Sequence, residues 1–138
     1  MGAYASLENN AVVKSGGAGS AIGTVTSAAI DTAGYSEATV FLTLGAAVAT
    51  GTLAVKVQDC ATVGGIYVDV PGAAFTGKID TDDDKAFVGR LKLDGNLVKR
   101  FVKVVGVVGV AVMNYGVAVV LSGNQYAPQT EATVEFTI

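Results

Sequence analysis

"FVKVVGVVGVAVMNYGVAVVLSG", Phe101 to Gly123, decides the fold, because it carries no charge after Lys103 and could be either a membrane helix or a pair of strands. Three glycines interrupt it, and each costs about 1 kcal/mol in a helix interior relative to alanine. "MNYG" is typical of a turn, and a membrane helix would bury the amide of Asn114 at mid-bilayer. We therefore predict two strands that meet at "MNYG", and no membrane partner.

The composition of the whole chain favours strands as well. Its 138 residues suffice for one domain with a proper core, and 51% of them are apolar while only 15% are charged. Valine and threonine are abundant and pack well on a pleated surface, and 18 glycines supply turns. We expect an all-β fold, an antiparallel β-sandwich of the jelly-roll kind.

Apolar and polar residues alternate in several segments, as they do in a half-buried strand. "EATVFLTLG" (37–45) and "TLAVKVQDC" (52–60) each show one apolar face, and the connector "GAAVATG" predicts a hairpin between them. A second hairpin is predicted in "KAFVGRLKLDGNLVKRFVKVVG" (85–106), with Asp94-Gly95 at its turn. "GGIYVDVPG" (64–72) predicts a short strand that Pro71 ends.

Three segments of the domain are expected. Residues 1–20 include most of the low-complexity run "SGGAGSAIG" (15–23) and predict a flexible N-terminal arm or a loosely held first strand. Residues 21–127 form the sandwich. Residues 128–138 form an extra C-terminal strand, which pairs with its own sheet or is exchanged with a neighbouring copy.

Most of the chemistry that enzymes use is missing from the sequence. The chain has no histidine and one cysteine, Cys60, which removes the usual general base, the usual zinc ligands and a disulfide. No glycine-rich segment matches a phosphate loop. The net charge of −3 argues against nucleic acid as the main partner. We expect no catalytic residues, no cofactor and no enzymatic activity.

One acidic cluster, "DTDDDK", is a candidate calcium site. Asp80, Asp82 and Asp84 occupy the first three alternate positions of an EF-hand loop. Lys85 then stands where that loop needs glycine, and Leu91 stands where it needs a bidentate glutamate. A solvated loop is the favoured interpretation, and calcium binding is the alternative.

The basic residues are concentrated on the second predicted hairpin. Arg90, Lys92, Lys99, Arg100 and Lys103 are five of the nine cations. This concentration predicts either a solvated face or a docking face for an acidic partner. The residues expected to bind a partner are Arg90, Lys92, Lys99, Phe101 and Lys103, together with Val134 and Phe136 of the C-terminal strand.

Three stretches resemble small structural proteins of tailed bacteriophages. "AIDTAGYSEATVFLTLGAAVATGTLAVKVQD" (29–59) is similar to their "IDT-x-GY" opening and "GT-x-x-V-x-VQ" strand. "FVGRLKLDGNLVKRFVKVVGVVG" resembles their "VGY…KRYVRV" segment, with Phe101 and Lys103 as its aromatic and basic residues. "YGVAVVLSGNQYAP" resembles their closing strand. The likeness covers residues 22–128, so the segments before Ile22 and after Pro128 depart from the family.

This resemblance implies a virion protein of the head decoration or capsid cement type. Such proteins are made in the host cytoplasm and bind the major capsid protein on the capsid surface. They often form homotrimers at three-fold positions, and they stabilise the shell by bridging capsomers. The alternatives are a head–tail joining or tail structural protein, and a calcium- or carbohydrate-binding β module. The carbohydrate alternative is weakened by the absence of tryptophan.

Overall fold

The computed structural model describes residues 12–93 and 97–123, which form ten β-strands, one turn of 3-10 helix and no α-helix. The strands are β1 (Val12–Gly19), β2 (Gly23–Thr26), β3 (Ile30–Asp31), β4 (Glu37–Ala47), β5 (Thr52–Cys60), β6 (Val68–Ala74), β7 (Lys78–Ile79), β8 (Ala86–Lys92), β9 (Phe101–Gly109) and β10 (Met113–Ser122). The 3-10 turn spans Asp80–Asp82. The predicted all-β class is confirmed.

The described strands form two antiparallel sheets that pack face to face. Sheet A has the strand order β1-β10-β4-β8, and sheet B has the order β2-β9-β5-β6. The short strands β3 and β7 continue the rows of β2 and β6, because β3 pairs with β9 and β7 pairs with β5. Two four-row sheets connected in this order form a jelly roll, so the predicted sandwich is confirmed.

The core lies between the inner faces of the two sheets. Alternation along β4 predicts that Ala38, Val40, Leu42 and Leu44 share one face, and all four are buried. The inner faces of β1, β5, β8, β9 and β10 are buried as well. These further buried side chains are Val12, Leu53, Val55, Val57, Leu91, Val102, Val104, Val108, Met113, Tyr115, Val117, Val119 and Leu121.

Two connections that the sequence predicts as hairpins carry the chain across the sandwich instead. β4 lies in sheet A and β5 in sheet B, and β8 and β9 are divided in the same way. Both hairpin predictions are therefore wrong, although residues 94–96 lie outside the described ranges. Glycine-rich connectors indicate that the chain reverses. They do not specify whether the next strand pairs with its predecessor or faces it across the core, since both arrangements bury the same apolar face.

The stretch from Phe101 to Gly123 forms β9 and β10, as predicted. In the described part of the chain, no helix is long and apolar enough to span a membrane. The turn between the strands precedes "MNYG", because Val110 adopts a positive φ of 68° and Met113 already begins β10. The prediction of a turn at "MNYG" was wrong. Asn114 lies within β10, and its side-chain amide donates to the carbonyl of Ala46 on the neighbouring strand β4 at 2.9 Å.

The edge strands differ in detail from the predictions. β6 runs through Pro71 rather than ending there, which an edge strand tolerates because one side of it needs no backbone donor. Residues 12–19, within the segment predicted as an arm or loose strand, pair with β10, and Val12 is 1% exposed. Residues 1–11 and 124–138, including the predicted C-terminal strand, lie outside the described ranges.

Candidate functional site

The acidic cluster forms the 3-10 turn between β7 and β8. Its central carboxylate already has protein partners: Asp82 Oδ2 accepts the N–H of Ile79 at 3.0 Å, and Lys85 Nζ lies 3.8 Å from Asp82 Oδ1. In residues 12–93 and 97–123, no group of three His, Cys, Asp or Glu side chains is placed to hold a metal ion. Through these contacts Asp82 stabilises the turn that leads into β8.

The predicted basic docking residues are divided between the two sheets. Arg90 and Lys92 point outward from β8 of sheet A, whereas Phe101 and Lys103 point outward from β9 of sheet B, with Lys99 just before that strand. The expectation of one basic face is thus corrected, because it assumed that the two strands pair in a hairpin. Val134 and Phe136 lie outside the described residues.

The outer face of sheet B, which we call the sheet B face, includes Lys56, Gln58, Phe101, Lys103 and Val107. Its charged groups contact one another or aromatic rings. Arg100, next to Phe101, donates two hydrogen bonds of 2.9 and 2.8 Å to Asp31. The Arg100 guanidinium also lies 4.9 Å from the centre of the Phe101 ring, and Lys103 Nζ lies 4.4 Å from the centre of the Tyr67 ring.

Two carboxylates of this region show how these charges are paired. Hydrogen bonds from Arg100 are the main cause that lowers the pKa of Asp31, against a smaller opposing effect of burial. Hydrogen bonds first from Gln58 and then from Lys56 lower the pKa of Asp69 on β6. The sheet B face therefore carries a network of charges that already have partners on the protein.

The outer face of sheet A, which we call the sheet A face, has a different chemistry. The strand register places its side chains in rows across the four strands. The rows are Val13, Val120, Thr39 and Arg90; then Ser15, Ala118, Phe41 and Val88; then Ala18, Gly116, Thr43 and Ala86. The second and third rows carry no charge.

Large apolar side chains in these rows reach solvent. Phe41 is 40% exposed, Val88 is 56% exposed and Val13 is 58% exposed. Around them stand small residues, so the surface is flat. The charged groups lie at one end, where Arg90 Nε is 3.8 Å from Glu37 Oε1. The sheet A face is therefore a flat, weakly polar surface with a charged rim, which is typical of a contact surface. The sequence signal for it was Phe41 between the two outward threonines of β4.

A cleft of about 320 Å³ opens where the edge of sheet A meets the edge of sheet B. It lies between β8 on one side and β6 with the segment after it on the other. Lys78 Nζ stands 3.7 Å from the centre of the Phe87 ring at its mouth. The apolar residues that line it are Val40, Val57, Ala73, Ala74, Phe75, Phe87, Val88 and Leu91. The sequence analysis missed this cleft, because its walls come from strands distant along the chain.

No family model and no curated protein matches the sequence. Among solved structures, the PBSX exported protein XepA is similar, with a TM-score of 0.59 and 9% identity over 92% of this chain. The Gx strain of infectious bursal disease virus gives a TM-score of 0.41 and 14% identity over 88% of this chain. This chain spans 42% of the XepA chain and 32% of the viral chain. The similarity to XepA is a similarity of fold.

Proposed function

We propose that the chain is a virion structural protein of a tailed bacteriophage, a head decoration protein that binds the capsid surface through the sheet A face. The observation that supports this most directly is the exposure of Phe41 and Val88 on a flat surface whose central rows carry no charge. The resemblance of residues 22–128 to phage structural proteins and the jelly-roll fold agree with it. In this proposal the protein binds the capsid and catalyses no reaction.

In this proposal the partner is the major capsid protein, and each copy bridges two capsomers. Three copies meet at a three-fold position of the lattice, as the resemblance implies. A modest contact area per copy suffices, because many copies act on one shell and the lattice holds their sites close together. The charged rim that contains Arg90 and Glu37 would fix the orientation of each copy.

The structure allows an estimate of what one side chain contributes. Phe41 is 40% exposed, and a phenylalanine side chain offers about 200 Å², so about 80 Å² remain to be covered by a partner. At about 25 cal/mol per Å² this contact is worth about 2 kcal/mol, or about a 30-fold change in Kd. Threonine is the suitable replacement, because it keeps the strand preference of the position.

The test uses empty shells assembled from the major capsid protein of a tailed bacteriophage, the proposed partner, mixed with the purified protein and sedimented. We expect the wild-type chain to sediment with the shells, Phe41→Thr to bind up to about 30-fold more weakly, and Val107→Thr to bind normally. Val107 is the matched control, because it is 38% exposed but lies on the sheet B face. Equal binding by both variants would remove the sheet A face as the contact surface.

The position and number of copies are read from cryo-electron microscopy of decorated shells. Density for three copies around each three-fold axis, with β4 and β8 towards the shell, is the expected result. Density at the neck alone would replace decoration with head–tail joining. No binding to shells at any protein concentration would reject the capsid proposal altogether.

A further inference from the structure

The most exposed large apolar side chains of the described residues lie at the two ends of sheet B. β5 and β9 are nine residues long and pair over their whole length, so the two ends are about 27 Å apart. The segments that adjoin these strands carry Ile66, which is 88% exposed, Leu97, which is 78% exposed, and Val110, which is 70% exposed. Aliphatic side chains so fully exposed at loop positions indicate contact surfaces.

One end of sheet B, which we call the basic end, is formed by the loop 61–67 after β5 and the segment 97–100 before β9. The hydroxyl of Tyr67 donates a hydrogen bond to the carbonyl of Val63 at 2.8 Å. This bond closes the loop within the loop's own residues. Ile66 therefore stands beside a closed loop end, where its side chain points into solvent.

Cations lie beside these apolar side chains. The backbone N–H of Lys99 donates to Asp59 Oδ2 at 2.9 Å, directly before the loop, and Lys103 Nζ lies 4.4 Å from the centre of the Tyr67 ring, at the end of the loop. Neither ammonium group forms an ion pair within the described part of the chain. The basic end therefore combines exposed aliphatic groups with positive charge that has no carboxylate partner there.

The opposite end of sheet B, which we call the acidic end, also exposes aliphatic side chains. Thr52 pairs with Ile79 on one side and with Gly109 on the other, and Val110 follows Gly109 directly. Ile79 and Val110 therefore lie about two strand spacings, or about 10 Å, apart at the same end. Ile79 is 49% exposed.

The charge of this end is negative. Asp80, Asp83 and Asp84 form no ion pair with any residue that the structure describes, whereas the neighbouring Lys85 lies against Asp82. Asp83 and Asp84 are exposed. The two ends of sheet B thus match each other, because both expose aliphatic groups and their free charges are opposite in sign.

We propose that the basic end of one copy binds the acidic end of a second copy, so that copies of the chain associate head to tail. The aliphatic side chains of both ends form the centre of this contact, and the opposite charges steer the two ends together. A contact between two basic ends or between two acidic ends is disfavoured, because each end carries unpaired charge of one sign.

The contact uses two different surfaces of each copy. Such a contact produces a closed ring when the rotation between copies allows closure, and an open row when it does not. The sheet A face takes no part in it, so a copy that is bound head to tail still presents Phe41 and Val88 to another partner. The proposal therefore does not depend on capsid binding.

Analytical ultracentrifugation of the purified full-length chain tests the proposal. We expect the mass to rise with protein concentration, and the association to weaken when salt shortens the Debye length from about 10 Å at 0.1 M to about 3 Å at 1 M. Ile66→Ser and Val110→Ser should each weaken association at least about tenfold, because each removes a large aliphatic group from the contact. Val88→Thr is the matched control and should associate as the wild type does, since Val88 is 56% exposed on the sheet A face.

Mixing the two defective variants gives the sharpest result. The Ile66→Ser variant keeps an intact acidic end, and the Val110→Ser variant keeps an intact basic end. An equal mixture should therefore form a heterodimer with the wild-type affinity, although neither variant associates well alone. The heterodimer should not grow further, because both of its free ends are defective. Circular dichroism of each variant confirms that the sheets are intact.

A mixture that associates no better than the separate variants would overturn the proposal, by showing that like ends meet. A wild-type chain that stays monomeric up to its solubility limit would overturn it as well. So would a monomer that binds phosphatidylserine vesicles and loses this binding in Ile66→Ser, because the basic end would then contact a membrane. None of these measurements involves a capsid, so their failure is distinguishable from failure of the proposed function.

Discussion

Replacing Gly106 with alanine should destabilise the sandwich, because the inner face of β9 has no room for a methyl group at this position. A Cβ there would stand 2.6 Å from Cζ and 2.9 Å from Cε2 of Tyr115, closer than real Cβ contacts allow. The ring is only 7% exposed and cannot swing into solvent without opening the core. The strand or the ring must therefore shift.

The expected magnitude combines two opposing effects. Overpacking a core costs about 1–3 kcal/mol. Replacing glycine by alanine within a strand returns about 0.5–1 kcal/mol, because glycine loses more backbone entropy on folding. The net loss should lie between about 0 and 2.5 kcal/mol, which lowers the melting temperature by up to several degrees in a domain of this size.

Gly116 on β10 is the matched control. A Cβ there would have Thr43 Oγ1 at 3.7 Å as its nearest neighbour, which is an ordinary contact. Gly116→Ala should therefore keep the wild-type stability or gain up to about 1 kcal/mol. The measurement is equilibrium urea unfolding followed by circular dichroism, with the m-value checked for constancy. A midpoint for Gly106→Ala at or above that of Gly116→Ala would refute the reasoning about Tyr115.

Three further predictions concern single polar groups. Ser27→Ala leaves the buried N–H of Val104 without its acceptor at 2.9 Å, so urea unfolding should show a loss of about 1–3 kcal/mol; an unchanged midpoint contradicts it. Arg100→Gln should raise the pKa of Asp31 towards its ordinary range in an NMR carboxyl titration, since Arg100 lowers it. The pair stabilises the fold above the unfolded-state pKa, about 4, and this contribution is lost as the pH falls through the lower folded-state pKa. Calcium should give no heat in calorimetry, because Asp82 is already bonded to its own turn; saturable binding would revive the calcium alternative.

Burial along each strand could be predicted from the sequence because it is a local property. Leu42 and Thr43 are neighbours in the chain, yet one is buried and the other exposed, as strict alternation requires. The same argument gave β5 one apolar face, and Leu53, Val55 and Val57 on that face are buried. The inner face of a strand depends only on which of its residues are apolar, and the sequence states this directly.

Strand partners could not be predicted in this way. β8 and β9 follow each other in the chain with an Asp-Gly pair between them, but they pair with β4 and β5 in opposite sheets. The position of the turn before β10 could not be predicted from the sequence either, because Val110 adopts a positive φ that a β-branched residue rarely takes.

The candidate contact surface was only partly visible in the sequence for the same reason. Five cations within fourteen residues suggested one basic face, and the crossing of the chain between sheets divides them. Phe41 was recognisable as an outward apolar residue of β4. Its neighbours Ala118 and Val88 come from strands far away in the chain, and only the register brings them beside it.

Desolvation decides which outer face is the better contact surface. A partner that covers the sheet B face must remove water from the Arg100–Asp31 pair and from Lys103, and these charges already have partners on the protein. A partner that covers the sheet A face removes water mainly from Phe41 and small side chains, which is favourable.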